Sequence, residues 1–136
     1  MFVDASALVA MIFGEPDAAG LAMALASANE GERHTSPIAI FETVAAICRG
    51  RKCSIATARE LVADFLEETS IQIAPVTQQH GELALTALDR FGEGRHPAAL
   101  NMGDCFAYAA TRALKTSILF KGDDFSRTDL VSAMVL

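Results

Sequence analysis

Short runs of apolar and β-branched residues alternate along the chain with longer stretches in which apolar positions recur every three or four residues. That alternation predicts strands interleaved with helices, and so an α/β fold with a mainly parallel sheet. Residues 1–4 read as the first strand, followed by a helix capped at Ser6 and running to about Phe13. Pro16 introduces an Ala-rich helix over 17–29, closed by Gly31. A strand over 33–36 comes next, with Ser36 as N-cap and Pro37 at the first position of a helix reaching Arg49, in which Ile40, Val44 and Ile47 share a face. Beyond the basic turn at 50–53, Ser54 caps a helix through Glu68, 71–74 is a strand ended by Pro75, and Thr77 begins a helix to about Phe91. The Gly- and Pro-containing loop over 92–103 is long enough to carry function. Asp104 opens a helix to Lys115, 117–120 is a strand bounded by Gly122, and 131–135 is a last edge strand.

Composition bounds what such a chain can be. With 136 residues, 51% hydrophobic and 21% charged, it suits one folded domain over 1–136 rather than a disordered chain. A domain of this size buries roughly 65 to 70% of its unfolded surface and needs no covalent staples. The cysteines Cys48, Cys53 and Cys105 are odd in number and form no CxxC pair, which favours free thiols in a reducing cytoplasm over a disulfide framework or a zinc site. No charge-free apolar run reaches the roughly 18 residues of a membrane span, and no basic leader precedes the first apolar stretch, so neither membrane nor export is expected.

The chemistry is concentrated in a few acids. Asp4 ends the first strand just before a helix, at the edge of an open α/β sheet where ligands bind. Asp123 and Asp124 follow the strand TSILF in the same way, Asp104 stands at the mouth of an apolar helix, and Glu42 interrupts SPIAIFETVAAI. Each has an ordinary structural role open to it: helix cap, first-turn acid, solvated side chain or turn residue. Together they are harder to dismiss, because each close pair would repel by roughly 4 kcal/mol at an effective dielectric of 20 unless a cation lay between them. An all-oxygen donor set selects Mg²⁺ or Mn²⁺.

The stretches VDASALVAMIFGEPDA, SPIAIFET, GEGRHPAALNMGDCFAYAATR and ILFKGDDFSRTDL resemble PIN-domain ribonucleases, in particular the VapC-type toxins of bacterial toxin–antitoxin pairs. The resemblance runs the length of the chain. It implies a PIN-like three-layer sandwich, a central mainly parallel sheet flanked by helices, with Mg²⁺-dependent endoribonuclease activity and neutralisation by a VapB-type antitoxin. The family's acidic quartet falls on Asp4, Glu42, Asp104 and an acid of the GDDF stretch, Asp124 in preference to Asp123. Asp4 and Asp104 would then ligate metal directly, with Glu42 and Asp124 acting through water and Asp123 as the other choice. Mg²⁺ would acidify a bound water and hold the scissile phosphate, and Ser6 would bond to the site or cap its helix.

A net charge of −6 argues at first against an RNA substrate, but five of the 17 acids belong to this cluster and the remaining 12 nearly balance 11 Lys and Arg. Two bound Mg²⁺ would bring the net charge to about −2, leaving Arg49, Arg51, Lys52, Arg95 and Lys121 as guides for phosphates. Three other readings compete. A metal-independent ribonuclease would use His34, His80 and His96, and a phosphoacceptor receiver domain would also gather acids around Mg²⁺. In the third, the Ala-rich helix (Ala22, Ala24, Ala26, Ala28) and the helix over 38–47 form a homodimer seam, which is compatible with catalysis.

Overall fold

Four two-residue strands, all parallel, form the sheet: β1 (Phe2–Val3), β2 (His34–Thr35), β3 (Gln72–Ile73) and β4 (Ile118–Leu119), in the order β3-β2-β1-β4. The computed structural model describes residues 1–134. Between β1 and β2 run α1 (Ala5–Phe13) and α2 (Ala18–Ala26); between β2 and β3, α3 (Pro37–Arg51) and α4 (Ile55–Glu68); between β3 and β4, α5 (Gln78–Phe91) and α6 (Met102–Ala113). The chain thus winds outward from β1 to β3 and returns to the far side of β1. The order reverses between β1 and β4, and a crevice at the carboxyl ends of such strands is where open α/β sheets bind ligands.

Alternation along the strands builds the core. Phe2 and Ile118 pack with Phe91, Leu100 and Tyr108 on the α5/α6 side, whereas Val3 and Leu119 pack with Leu8, Leu21, Ile47 and Val62 on the α1–α4 side. Each such large side chain removed from water contributes about 1.5–3 kcal/mol, so both sheet faces are covered and the strand ends are held in place. Thr35 is fully buried and donates Oγ1 to the Val3 carbonyl at 2.9 Å, tying β2 to β1.

Most expected elements are present, and the differences lie at helix ends. Asp4, not Ser6, is the N-cap of α1, accepting from the Ser6 amide. The Ala-rich helix stops at Ala26, with Gly31 in a separate 3-10 turn (Glu30–Glu32), so Gly31 does not close it. The first half of the basic turn is helical: α3 runs to Arg51, and Lys52 terminates it at φ 51°. α6 starts before Asp104, because Asn101 and Asp104 cap it reciprocally, and it ends at Ala113 rather than Lys115. The last edge strand reduces to one bridge between Ser132 and Ile118 among the described residues, and Val135 lies outside them. Among the described residues, no single helix is long and apolar enough to cross a membrane.

Candidate active site

Four acids from four different segments, Asp4, Glu42, Asp104 and Asp124, lie within electrostatic reach of one another. Asp4 leaves the end of β1, where its own amide donates to the Leu119 carbonyl of β4 at 3.0 Å. It is buried, and both Ser6 donors fall on one carboxylate oxygen, the amide to Oδ2 at 3.0 Å and the hydroxyl to Oδ2 at 2.6 Å. Ser6 Oγ in turn accepts from the Lys121 amide at 3.0 Å, so one hydroxyl links the carboxyl ends of β1 and β4 and leaves Asp4 Oδ1 without a side-chain donor. The capping role open to Asp4 is thus present, and it occupies Oδ2.

Asp104 sits at the third position of α6. Its Oδ2 accepts from the Asn101 amide at 3.1 Å while Asn101 Oδ1 accepts from the Asp104 amide at 2.9 Å. Glu42, on α3, lies against the first turn of α6 at Gly103. A Cβ built at Gly103 would come within 2.6 Å of Glu42 Cδ, so any larger residue there would displace the Glu42 carboxylate. Glycine here answers a need for close approach. The sequence shows the glycine; the reason for it appears only when α3 meets α6.

The carboxylates act on one another electrostatically. Burial raises the pKa of Asp4, opposed by the Ser6 hydrogen bonds and reinforced by the Asp124 charge. Burial raises Glu42 to about 7, with the charges of Asp4 and Asp104 adding to it. Asp104 is pushed up to about 6, by burial first and then, against the Asn101 hydrogen bond, by Asp4, Asp124 and Glu93. Of the two neighbouring acids after β4, Asp124 is thus the one whose charge reaches Asp4 and Asp104; Asp123 lies beside it at the surface, its carbonyl accepting from Ser126. Glu93, in the long loop, also reaches Asp104 and is a residue that sequence reasoning missed. Nothing in its surroundings marks it before the loop folds back.

No cation answers this charge. Among the described residues, no Lys, Arg or His forms an ion pair with Asp4, Glu42, Asp104 or Asp124. Lys121, three residues before Asp124, instead donates to Glu15 at 2.8 Å and lies 3.4 Å from Asp17. Arg95 sits 3.7 Å from Asp89, and Arg51 donates to the Ile12 carbonyl at 3.3 Å over the Phe13 ring, leaving Arg49 and Lys52 without an ion pair among the described residues. Nor do three acidic, histidine or cysteine side chains there converge tightly enough to ligate one ion together. Carboxylates spaced in this way leave room for the water shell that Mg²⁺ keeps.

The histidines are otherwise engaged. His80 Nδ1 accepts from the Thr77 amide at 3.0 Å in the capping box of α5, and His96 Nδ1 accepts from the Ala98 amide at 3.0 Å with its ring edge-on to Phe91. His34 is on β2, paired with Phe2. Of the phenylalanines near the acids in sequence, Phe2 is fully buried and Phe106 half-buried, whereas Phe41, beside Glu42, is 75% exposed. Phe41 borders a groove of about 310 Å³ between α3 and α4, walled by Ile40, Val44 and Ile55.

A PIN-domain family model matches residues 1–131. The chain belongs to the PIN-domain family. Within it, the similar proteins are VapC ribonucleases. One from Rhizobium meliloti is 41% identical over 95% of this chain and 98% of its own length. Ribonuclease VapC28 of Mycobacterium tuberculosis is 36% identical over 98% of both, and Ribonuclease VapC of Mycolicibacterium smegmatis is 37% identical over 97% and 98%. The crystal structure of VapC20 of M. tuberculosis, a sarcin–ricin loop cleaving toxin, superposes with a TM-score of 0.73 over 96% of this chain and 95% of that one, at 22% identity. The expected PIN-like α/β fold is therefore present, and the chain belongs with the VapC ribonuclease toxins. Membership of this family displaces the phosphoacceptor reading.

Proposed function

We propose that the chain is a divalent-metal-dependent endoribonuclease, the toxin of a pair with a VapB-type antitoxin, and that Asp4, Glu42, Asp104 and Asp124 form its catalytic centre. The supporting observation is the mutual charge coupling of these acids beside the reversal point of the sheet, with raised pKa values for Asp4, Glu42 and Asp104 and no cationic partner among the described residues. A site kept in that state at a cost in folding stability reads as one built to receive positive charge.

Asp4 and Asp104 would hold Mg²⁺ directly, or Mn²⁺ in its place, with Glu42 and Asp124 binding through water and Asp123 at the margin. When bound, the ion supplies the charge that acidifies a water and offsets the negative charge growing on the phosphate. Ser6 acts by positioning: its amide and its hydroxyl both bond Oδ2 and hold the carboxylate. The Asn101 amide does the same for Asp104. Glu42, with a pKa of about 7, holds a proton for part of the time in the metal-free protein and gives it up once positive charge arrives. In that ionised form it can accept a proton from an attacking water. The leaving group is the ribose 3'-oxygen, so the 2'-hydroxyl takes no part.

RNA is the proposed substrate and the cytoplasm, where thiols stay reduced, the proposed location. Exposed Phe41 next to Glu42 suits an antitoxin segment that pairs an apolar anchor with an Arg or Lys reaching the acids. A homodimer is proposed as the working form. The test is cleavage of RNA by the purified chain, freed of any partner. Cutting in Mg²⁺ that stops in EDTA supports the reading, and undiminished cutting in EDTA removes it.

A further inference from the structure

The end of α3 brings two thiols together around a basic turn. Lys52, in the left-handed conformation at φ 51°, folds the chain back so that its own amide and that of Cys53 both donate to the Cys48 carbonyl, the latter at 3.3 Å. That bond keeps the Cα atoms of Cys48 and Cys53 within about 7 Å of each other, close to the span a disulfide bridges. Each side chain leans toward the other's segment: Cys48 Sγ donates to the Cys53 carbonyl at 2.8 Å, and Cys53 Sγ lies 4.0 Å from the carbonyl of Ile47, the residue before Cys48. Both are half-buried, whereas Cys105 is only 3% exposed and packs in the core on the other side of the sheet. Between the two thiols lie Arg49, Gly50, Arg51 and Lys52, the basic turn.

We propose that Cys48 and Cys53 are an oxidisable dithiol, which a peroxide joins into an intramolecular disulfide closing the basic turn at 49–52. One thiolate attacks the peroxide, breaking the O–O bond and leaving a sulfenic acid and water. The second thiolate then attacks that sulfur, the S–O bond breaks, and a second water departs. Two thiols and one hydrogen peroxide give one disulfide and two waters, the sulfurs losing the two electrons that the peroxide gains. Oxidation exchanges the Cys48 Sγ–H hydrogen bond for a covalent link and fixes the turn that presents Arg49, Arg51 and Lys52. Disulfides of this kind in a reducing compartment are transient and redox-sensing. The inference is independent of the proposed ribonuclease mechanism.

The test uses the full chain, treated with hydrogen peroxide, alkylated and digested with trypsin without reductant. Trypsin cuts after Arg49, Arg51 and Lys52, so a disulfide leaves peptide 34–49 linked to peptide 53–59, lighter by two hydrogens than the pair. We expect that species, its loss on adding dithiothreitol, and an alkylated Cys105. Mixing isotopically light and heavy chains before oxidation separates the linkages, and only light–light and heavy–heavy pairs are expected. Linkage between chains, or separate sulfinic acids on Cys48 and Cys53, would overturn the proposal. In Cys53→Ser, Cys48 is expected to move up to sulfinic acid; a Cys48–Cys105 link would also overturn it.

Discussion

Asp4 starts α1 by accepting from Ser6 at Oδ2, and the proposed mechanism gives the same carboxylate a second duty at the metal. Asp4→Asn keeps an acceptor for the cap and removes a charge from a crowded cluster. RNA cleavage should therefore fall to background, while the metal-free Tm holds or rises and the gain on adding Mg²⁺ shrinks; a thermal melt beside a cleavage assay checks all three. Asp104→Asn should behave alike. Ser6→Ala keeps the metal-binding carboxylates but loosens one of them, so cleavage should slow on the order of tenfold, as such supporting contacts typically cost. The raised pKa values also fix a sign. Glu42 at about 7 and Asp104 at about 6, against 4.5 and 3.8 ordinarily, mean that the folded metal-free protein holds protons the unfolded chain has released. Stability in EDTA should therefore fall as pH rises from about 4 to 7, by about 1 kcal/mol once solvent screening of these half-exposed groups is discounted. Glu42→Gln should flatten the upper part of that decline, and melts across this range would detect it.

At the scale of elements, the sites of difficulty are helix ends and helix crossings. The pattern of apolar runs placed every strand and nearly every helix, and it put Asp4 and the acids after β4 at one sheet edge, because those facts follow from local periodicity and the parallel order. It did not reveal that Asn101 rather than Asp104 starts α6, since a reciprocal cap is decided by competing acceptors a few residues apart. It could not foresee Glu93 beside Asp104 or Glu42 over Gly103, which depend on how a loop folds back and how α3 crosses α6. Preferring Asp124 to Asp123 came from the form of the GDDF motif; the charge coupling with Asp4 and Asp104 gives that preference a physical basis. The crossing makes its own prediction. Gly103→Ala must push the Glu42 carboxylate, the mobile end of its side chain, away, so it should lower cleavage while changing stability in denaturant unfolding by no more than about 1 kcal/mol. His80→Ala should cost about 1 kcal/mol through loss of the α5 capping box and leave the specific activity of the folded protein unchanged.

For the whole molecule, the strand order decides where chemistry can occur. Asp4 and Asp124 follow β1 and β4 where the order reverses, charge coupling ties them to Glu42 and Asp104, and the remaining charges of the chain nearly balance. If exposed Phe41, on the groove between α3 and α4, anchors a protein partner as proposed, Phe41→Ala should weaken capture of a co-expressed VapB-type antitoxin while sparing cleavage by the free chain. The central claim, hydrolysis by carboxylates and a divalent ion, is written in the products. RNA cut by the purified chain should carry 5'-phosphate and 3'-hydroxyl ends in Mg²⁺, remain intact in EDTA, and still be cut where the sugar at the scissile bond lacks its 2'-hydroxyl. End-mapping of those fragments is the most direct measurement. Cyclic 2',3'-phosphate ends, formed in EDTA and lost on changing His80 or His96, would contradict it.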